Sequence, residues 1–175
     1  MRVRLCFLRW LFTVTVTVVF AGVLARARAQ EENGAGLVVS GQASTKDVGL
    51  PIYPGSTPHR DTAENSNAAR LGVWGGGAGF KLAVLKMESK DAPTKVANFY
   101  EKALAKYGKV LNCTSGGANP DEFSDTRVLT CGDDKPDQGG TLLKSGTKEK
   151  QHIVDIEPYG TGTTFALVYV WAKGE

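Results

Sequence analysis

The chain has 175 residues, with 21 Lys and Arg against 18 Asp and Glu and a formal charge of +3. Residues 1–29 hold five Arg and no acid, so everything after them carries 16 basic and 18 acidic side chains, a net −2. A surface so near neutrality offers no broad positive field for a phosphate backbone, which excludes general nucleic-acid binding as the meaning of the basic total.

The basic start (Arg2, Arg4, Arg9), the apolar run Leu11 to Ala25 and the small residues of Ala27-Arg28-Ala29 read together as a cleavable export signal over residues 1–29. An uncut, membrane-spanning segment is the alternative. The run has 15 residues including three Thr, short of the roughly 20 apolar residues a spanning helix needs. Cleavage after Ala29 leaves 146 residues, enough for one domain with its own core and with no stable membrane anchor. The expected location is exported, either periplasmic or extracellular. Cys6 departs with the signal, and an isolated pair in an oxidising compartment predicts a Cys113–Cys131 disulfide.

Residues 30–46 are rich in Gly, Ser, Ala, Gln and acid, and read as a flexible leader to a single domain over 47–175. Three prolines between Asp47 and Pro58 forbid a helix and favour an extended segment turning at Pro54-Gly55, with Leu50, Ile52 and Tyr53 docking on the domain. The polar stretch His59 to Arg70 reads as an exposed loop. In GVWGGGAGF the glycines meet neither the Walker nor the dinucleotide pattern, because Gly79 leads into strand-like Phe80-Lys81-Leu82; a turn after Val73-Trp74 is expected. Phe80 to Glu88 reads as an interior strand, apolar on both faces.

Val96, Phe99, Tyr100, Ala103, Leu104 and Tyr107 fall on one stripe of an α-helix. Asp91 and Pro93 fit its start, and Gly108 with Lys106 its stop. Lys109 to Cys113 and Thr126 to Cys131 read as short strands ending in the two cysteines. Asp133, Asp134 and Asp137 resemble an oxygen-rich loop but fail the EF-hand spacing, since Lys135 takes a ligand position and no Glu closes the loop. No metal or cofactor is expected. Thr141 to Lys144, Gln151 to Glu157 and Thr163 to Trp171 read as strands, the last two forming a hairpin. In the final strand Phe165, Leu167, Tyr169 and Trp171 alternate with smaller residues, whose side is expected to lie under the helix.

Two chemistries present themselves. Asp155 and Glu157 share a strand face and, with His152, are the candidates for a hydrolase. Trp74, Tyr159, Tyr169 and Trp171 are flat side chains suited to lining an apolar site or stacking on sugars. The segment Gly49-Leu50-Pro51-Ile52-Tyr53-Pro54-Gly55, followed by Phe99-Tyr100 and Leu104, resembles a loose group of exported bacterial proteins of uncharacterised function. That resemblance implies export and no particular activity. The expected fold is α+β, a single long helix packed on an antiparallel sheet in cystatin-like order, with a ferredoxin-like arrangement as the alternative. The expected role is non-enzymatic binding of a small ligand or an envelope protein, in a groove between helix, sheet and the proline-rich segment. A hydrolase and a purely structural domain are the alternatives.

Overall fold

Apolar side chains recurring with a period of two dominate the second half of the chain, and the computed structural model turns that pattern into sheet. It describes residues 35–60, 65–115, 128–137 and 139–174. The export signal at 1–29 lies outside the described residues.

The elements run β1 (Gly36–Ser40), α1 (Thr45–Val48), β2 (Thr57–Pro58), β3 (Ala68–Gly75), β4 (Ala78–Ser89), α2 (Pro93–Leu104), β5 (Leu111–Asn112), β6 (Thr141–Thr147), β7 (Lys150–Tyr159) and β8 (Gly162–Lys173). All pair antiparallel in the order β1-β3-β4-β8-β7-β6-β5, with β2 beside β4. Residues from Ala35 onward make one compact unit. Gly76 and Gly77, with φ of 59° and 86°, supply the two positive-φ positions of the tight β3–β4 turn.

The expectation of a domain organised by a single long helix, cystatin-like or ferredoxin-like, is overturned. Sheet dominates, with eight strands, while the two α-helices have four and twelve residues. The second tightens into a 3-10 turn at Ala105–Tyr107 and ends at Gly108, φ 132°. The strand order also differs from a simple strand, helix, meander reading. The last strand, β8, returns to pair with β4, the strand before the helix. Residues 36–40, expected within a flexible leader, instead form the edge strand β1, and the expected loop up to Arg70 already contains the start of β3. The second cysteine lies in irregular chain, since Val128 to Cys131 form no strand.

The helix N-cap is Ala92 and makes no side-chain cap. Asp91 sits one residue earlier, accepting from the Tyr53 hydroxyl at 2.8 Å and from Lys95 at 3.0 Å. The stripe read from sequence does face inward, with Val96, Tyr100 and Leu104 fully buried. They meet Leu85, Met87, Leu143, Val154, Ile156, Phe165 and Leu167. Phe165, Leu167 and Tyr169 therefore point to the helix side, the reverse of the expected arrangement for β8. The bulky side is the one that can fill the space beneath a helix and exclude water.

The proline-rich segment is part of this core. Val48, Leu50 and Tyr53 are buried, the Tyr100 hydroxyl donates to the Pro51 carbonyl at 3.1 Å, and Tyr107 donates to the Gly49 carbonyl. Gly49 caps α1 with φ 72°, and a Cβ there would stand 2.8 Å from the Tyr107 hydroxyl and 2.9 Å from the His152 ring. Only glycine satisfies both the backbone and the space.

The sheet's other side carries a second cluster, Leu111, Cys113, Leu129, Cys131 and Leu142 with Ile153. The disulfide is formed, with Cα atoms 5.5 Å apart. Lys144, 4% exposed, reaches out of this cluster to the Thr130 carbonyl at 3.1 Å and to Asp134 at 2.5 Å. A buried ammonium requires such partners, and they tie the chain around Cys131 to β6.

Candidate functional site: an aromatic groove beside the helix

The helix does not reach across the sheet. Twelve residues at 1.5 Å each span about 18 Å, whereas seven strands about 4.8 Å apart span about 29 Å. Accordingly α2 packs on β6, β7 and β8, α1 packs mainly on β4 and β8, and among the described residues the helix side of β1 and β3 is largely uncovered. There the chain forms a groove of about 350 Å³, lined by Val38, Asp47, Arg70, Gly72, Trp74, Lys81, Ala83 and Tyr169 among others.

Pairing register explains the shape. Val38 stands opposite Gly72, Gly72 opposite Lys81 and Lys81 opposite Trp171, while Arg70 stands opposite Ala83 and Ala83 opposite Tyr169, so side chains from four strands form two adjacent rows on one face. Gly72 and Ala83 project little, and they form a low floor between Val38 and Tyr169. Trp74 is 44% exposed and its ring lies over Gly36, where a Cβ would collide with it. Trp171 lies over Gly79 in the same way, at 2.6 Å from where a Cβ would sit. Each tryptophan thus covers a glycine on the adjacent strand with one ring face.

The polar groups of the groove are few. Asp47 is fixed by Ser44, whose N–H and hydroxyl donate to it at 2.8 and 2.6 Å, and it receives Arg70 at 3.1 Å. The Ser44 bonds first, and then the Arg70 guanidinium, hold its carboxyl below the usual carboxylate range. Lys81 places its ammonium 5.3 Å from the Trp171 ring centre, a cation–π contact. Burial, and then Tyr107 nearby, push the Tyr169 hydroxyl up, so it remains a neutral donor at physiological pH. An apolar concavity with a few fixed polar groups is the usual form of a small-molecule site.

Of the aromatic residues singled out from sequence, Trp74 and Tyr169 line the groove and Trp171 borders it through Lys81. Tyr159 does not join them. It is 57% exposed at the far end of β7, its ring 5.1 Å from that of His59. Among the described residues Val48, Leu50, Tyr53 and Tyr100 fill the space between helix, sheet and the start of the proline-rich segment, and a separate cleft of about 570 Å³ lies where Pro54, Gly55 and Thr57 meet Glu88, Ser89 and Asp91. Asp47, Arg70, Gly72 and Lys81 were not legible as site residues, although a lone glycine between Leu71 and Val73 is a recognisable mark of close approach in a strand.

The proposed hydrolase residues are split by the pleat. His152 points under the helix and is 7% exposed. Its ring stacks on Tyr107 at 3.6 Å between centres, and its Nδ1 lies 3.0 Å from the Val48 carbonyl. Burial lowers its pKa, partly opposed by that carbonyl. Asp155 and Glu157 project from the opposite face of the same strand, so His152 cannot act with them. Ser145, opposite His152, is fully buried, and its hydroxyl has no hydrogen-bond partner among the described residues.

The two acids border a cleft of about 340 Å³ with His59, Lys86, Tyr159 and Thr164. Burial, then the charges of Glu157 and Asp137, raise the pKa of Asp155, and its Oδ1 is buried without a hydrogen-bond partner among the described residues. His59 Nδ1 lies 2.7 Å from Glu88 Oε2. No three metal-ligating side chains converge among the described residues, and Asp134 is engaged by Lys144. No helix among them is long and apolar enough to cross a membrane. Comparison with protein-family models, curated proteins and solved structures finds no match for the chain.

Proposed function

We propose that the chain is an exported, non-enzymatic binding protein whose small ligand occupies the groove on β1, β3, β4 and β8. The observation that carries this reading is the pairing of a low glycine and alanine floor with the half-exposed Trp74 ring and the Tyr169 wall. Flat aromatic faces give large contact area at little entropic cost, and Asp47, Arg70 and Lys81 supply the polar contacts that orient a ligand. Export draws support from the signal-like residues 1–29 and from the disulfide, a bond that persists in oxidising compartments.

Gly72 offers a direct test. A Cβ there would lie 3.7 Å from the Trp74 ring and 4.0 Å from the Val38 side chain, ordinary contact distances, so Gly72→Val places its Cβ without a clash and adds two methyl groups to the groove floor. Exported wild-type and Gly72→Val proteins are purified and their copurifying small molecules identified by untargeted mass spectrometry. A compound held by the wild type and lost from Gly72→Val supports the reading; equal retention by both, or none in either, overturns it. Removal of residues 1–29 takes Trp10 away, leaving Trp74 and Trp171 as the tryptophans, so intrinsic fluorescence reports groove occupancy directly. An N-terminus at Gln30 on the exported protein is the expected sequencing result.

A second reading has one specific support. Asp155, with its raised pKa and Glu157 beside it, has the features of an acid and base pair for hydrolysis in the neighbouring cleft. Glycosidase assays on the exported protein, with Asp155→Asn as the control, separate this reading from the first.

A further inference from the structure

The two edges of the sheet are protected very differently. At one edge β5 has two residues, Leu111 and Asn112, and the chain leaves it at once through the disulfide-bonded Cys113. Short length and a covering segment are the standard means of keeping an edge from pairing with another chain. At the other edge, among the described residues, no segment covers β1. Its five residues, Gly-Leu-Val-Val-Ser, include no charge and no proline, and β3 is its single strand partner among the described residues. Leu37 and Val39 are 66% and 73% exposed, on the face opposite the groove.

The geometry points to a second copy of this chain as the partner of β1, joined antiparallel across a two-fold axis at Val38. That register is self-complementary. It sets Val38 against its own copy, Leu37 against the partner's Val39 and Gly36 against the partner's Ser40, so each exposed apolar side chain gains an apolar neighbour twice over. The segment is uncharged and the chain beyond residue 29 carries only a net −2, so no like charges within the strand face each other. The partner copy also completes the site. Val38 lines the groove, and the two-fold brings both Val38 side chains together, joining two grooves into one longer trough. The strand pairing itself does not depend on the ligand reading. One short strand is a small interface, in the class of weak and reversible association.

Opposed residues in an antiparallel pair have Cα atoms about 4.5 to 5.5 Å apart, within disulfide range. The chain lacking residues 1–29 is made with Val38→Cys, Leu37→Cys or Val39→Cys and oxidised gently. Val38→Cys is expected to give covalent dimers, Leu37→Cys and Val39→Cys alone none, and an equimolar mixture of the last two to give the mixed dimer. Sedimentation of the unmutated protein is expected to show dimers at high micromolar concentration, and the Leu37→Lys/Val39→Lys double variant monomers only. Its retained near-ultraviolet circular dichroism shows that the fold survives. Equal crosslinking by Leu37→Cys and Val38→Cys, monomers alone at every concentration reached, or unchanged association by the folded double-lysine variant would each overturn the inference. Loss of dimers with ligand retained leaves the groove reading standing, and the converse leaves the dimer standing.

Discussion

Among the described residues, the β5-β6-β7 end of the sheet is covered on both sides, whereas the β1-β3 end is largely uncovered on both. Over β6 and β7 lie α2 and the Val48 to Tyr53 segment on one side and the disulfide cluster on the other. Over β1 and β3 lie the groove on one side and the exposed Leu37, Val39 and Val73 on the other. The same antiparallel ladder therefore serves two purposes. One end supplies the buried apolar area that stabilises the fold, and the other leaves aromatic and apolar faces for contact with something else.

That contrast predicts where substitutions hurt. Tyr100→Ala, which empties the covered end and removes the Pro51 bond, is expected to destabilise the protein by about 4 kcal/mol in urea unfolding. A cost near that of a surface change would mean the covered end is not the core. Opening the disulfide with Cys113→Ala/Cys131→Ala, a closed loop with sequence separation 18, should cost about 3 kcal/mol. Its effect should be separate from that of Tyr100→Ala, because the two clusters lie on opposite sides of the sheet.

The covered end should also carry an acid sensitivity. Burial lowers the folded-state pKa of His152, so the unfolded chain binds its proton more readily. The contribution from neutral His152 is complete above the unfolded value of about 6.5 and is lost as pH falls from there through the folded value. His152→Gln should flatten the stability difference between pH 7.5 and 5.5, and an unchanged slope would contradict this. Asp155 acts with the opposite sign. Its raised pKa means that stability falls as pH rises from the unfolded value of about 3.9 through the folded one, so Asp155→Asn should raise the neutral-pH melting temperature.

The smallest stability effect belongs to the open end. Trp74→Ala should change stability by less than about 1 kcal/mol while removing ligand retention, since the ring is 44% exposed and touches mainly Gly36. A loss as large as that of Tyr100→Ala would show that Trp74 is core and would erase the distinction between the two ends.

Much of the covered end was legible because its signals are local. The stripe from Val96 to Leu104 has helical spacing, and Gln151 to Glu157 and Thr163 to Trp171 alternate as strands, so both elements are specified by neighbours in sequence. The open end was not. Residues 68–70 and 36–40 carry weak local pattern; the first become strand beside the long β4 and the second beside β3, a tertiary override of local composition. With β1 and the start of β3 unread, Gly72 could not be placed between Val38 and Lys81, nor Arg70 beside Asp47.

By itself the sequence determined the Cys113–Cys131 pair, the helix stripe and the C-terminal hairpin, all of which depend on composition or on short-range spacing. Tertiary structure alone decided that β8 returns to β4, and that Trp74 and Tyr169 border one groove while Tyr159 lies elsewhere. The physical reason is the range of the interactions. Side-chain period is a property of consecutive residues, whereas strand order, and with it which faces meet, depends on pairings between residues 74 (Ser89 and Thr163) to 94 (Gly79 and Lys173) positions apart.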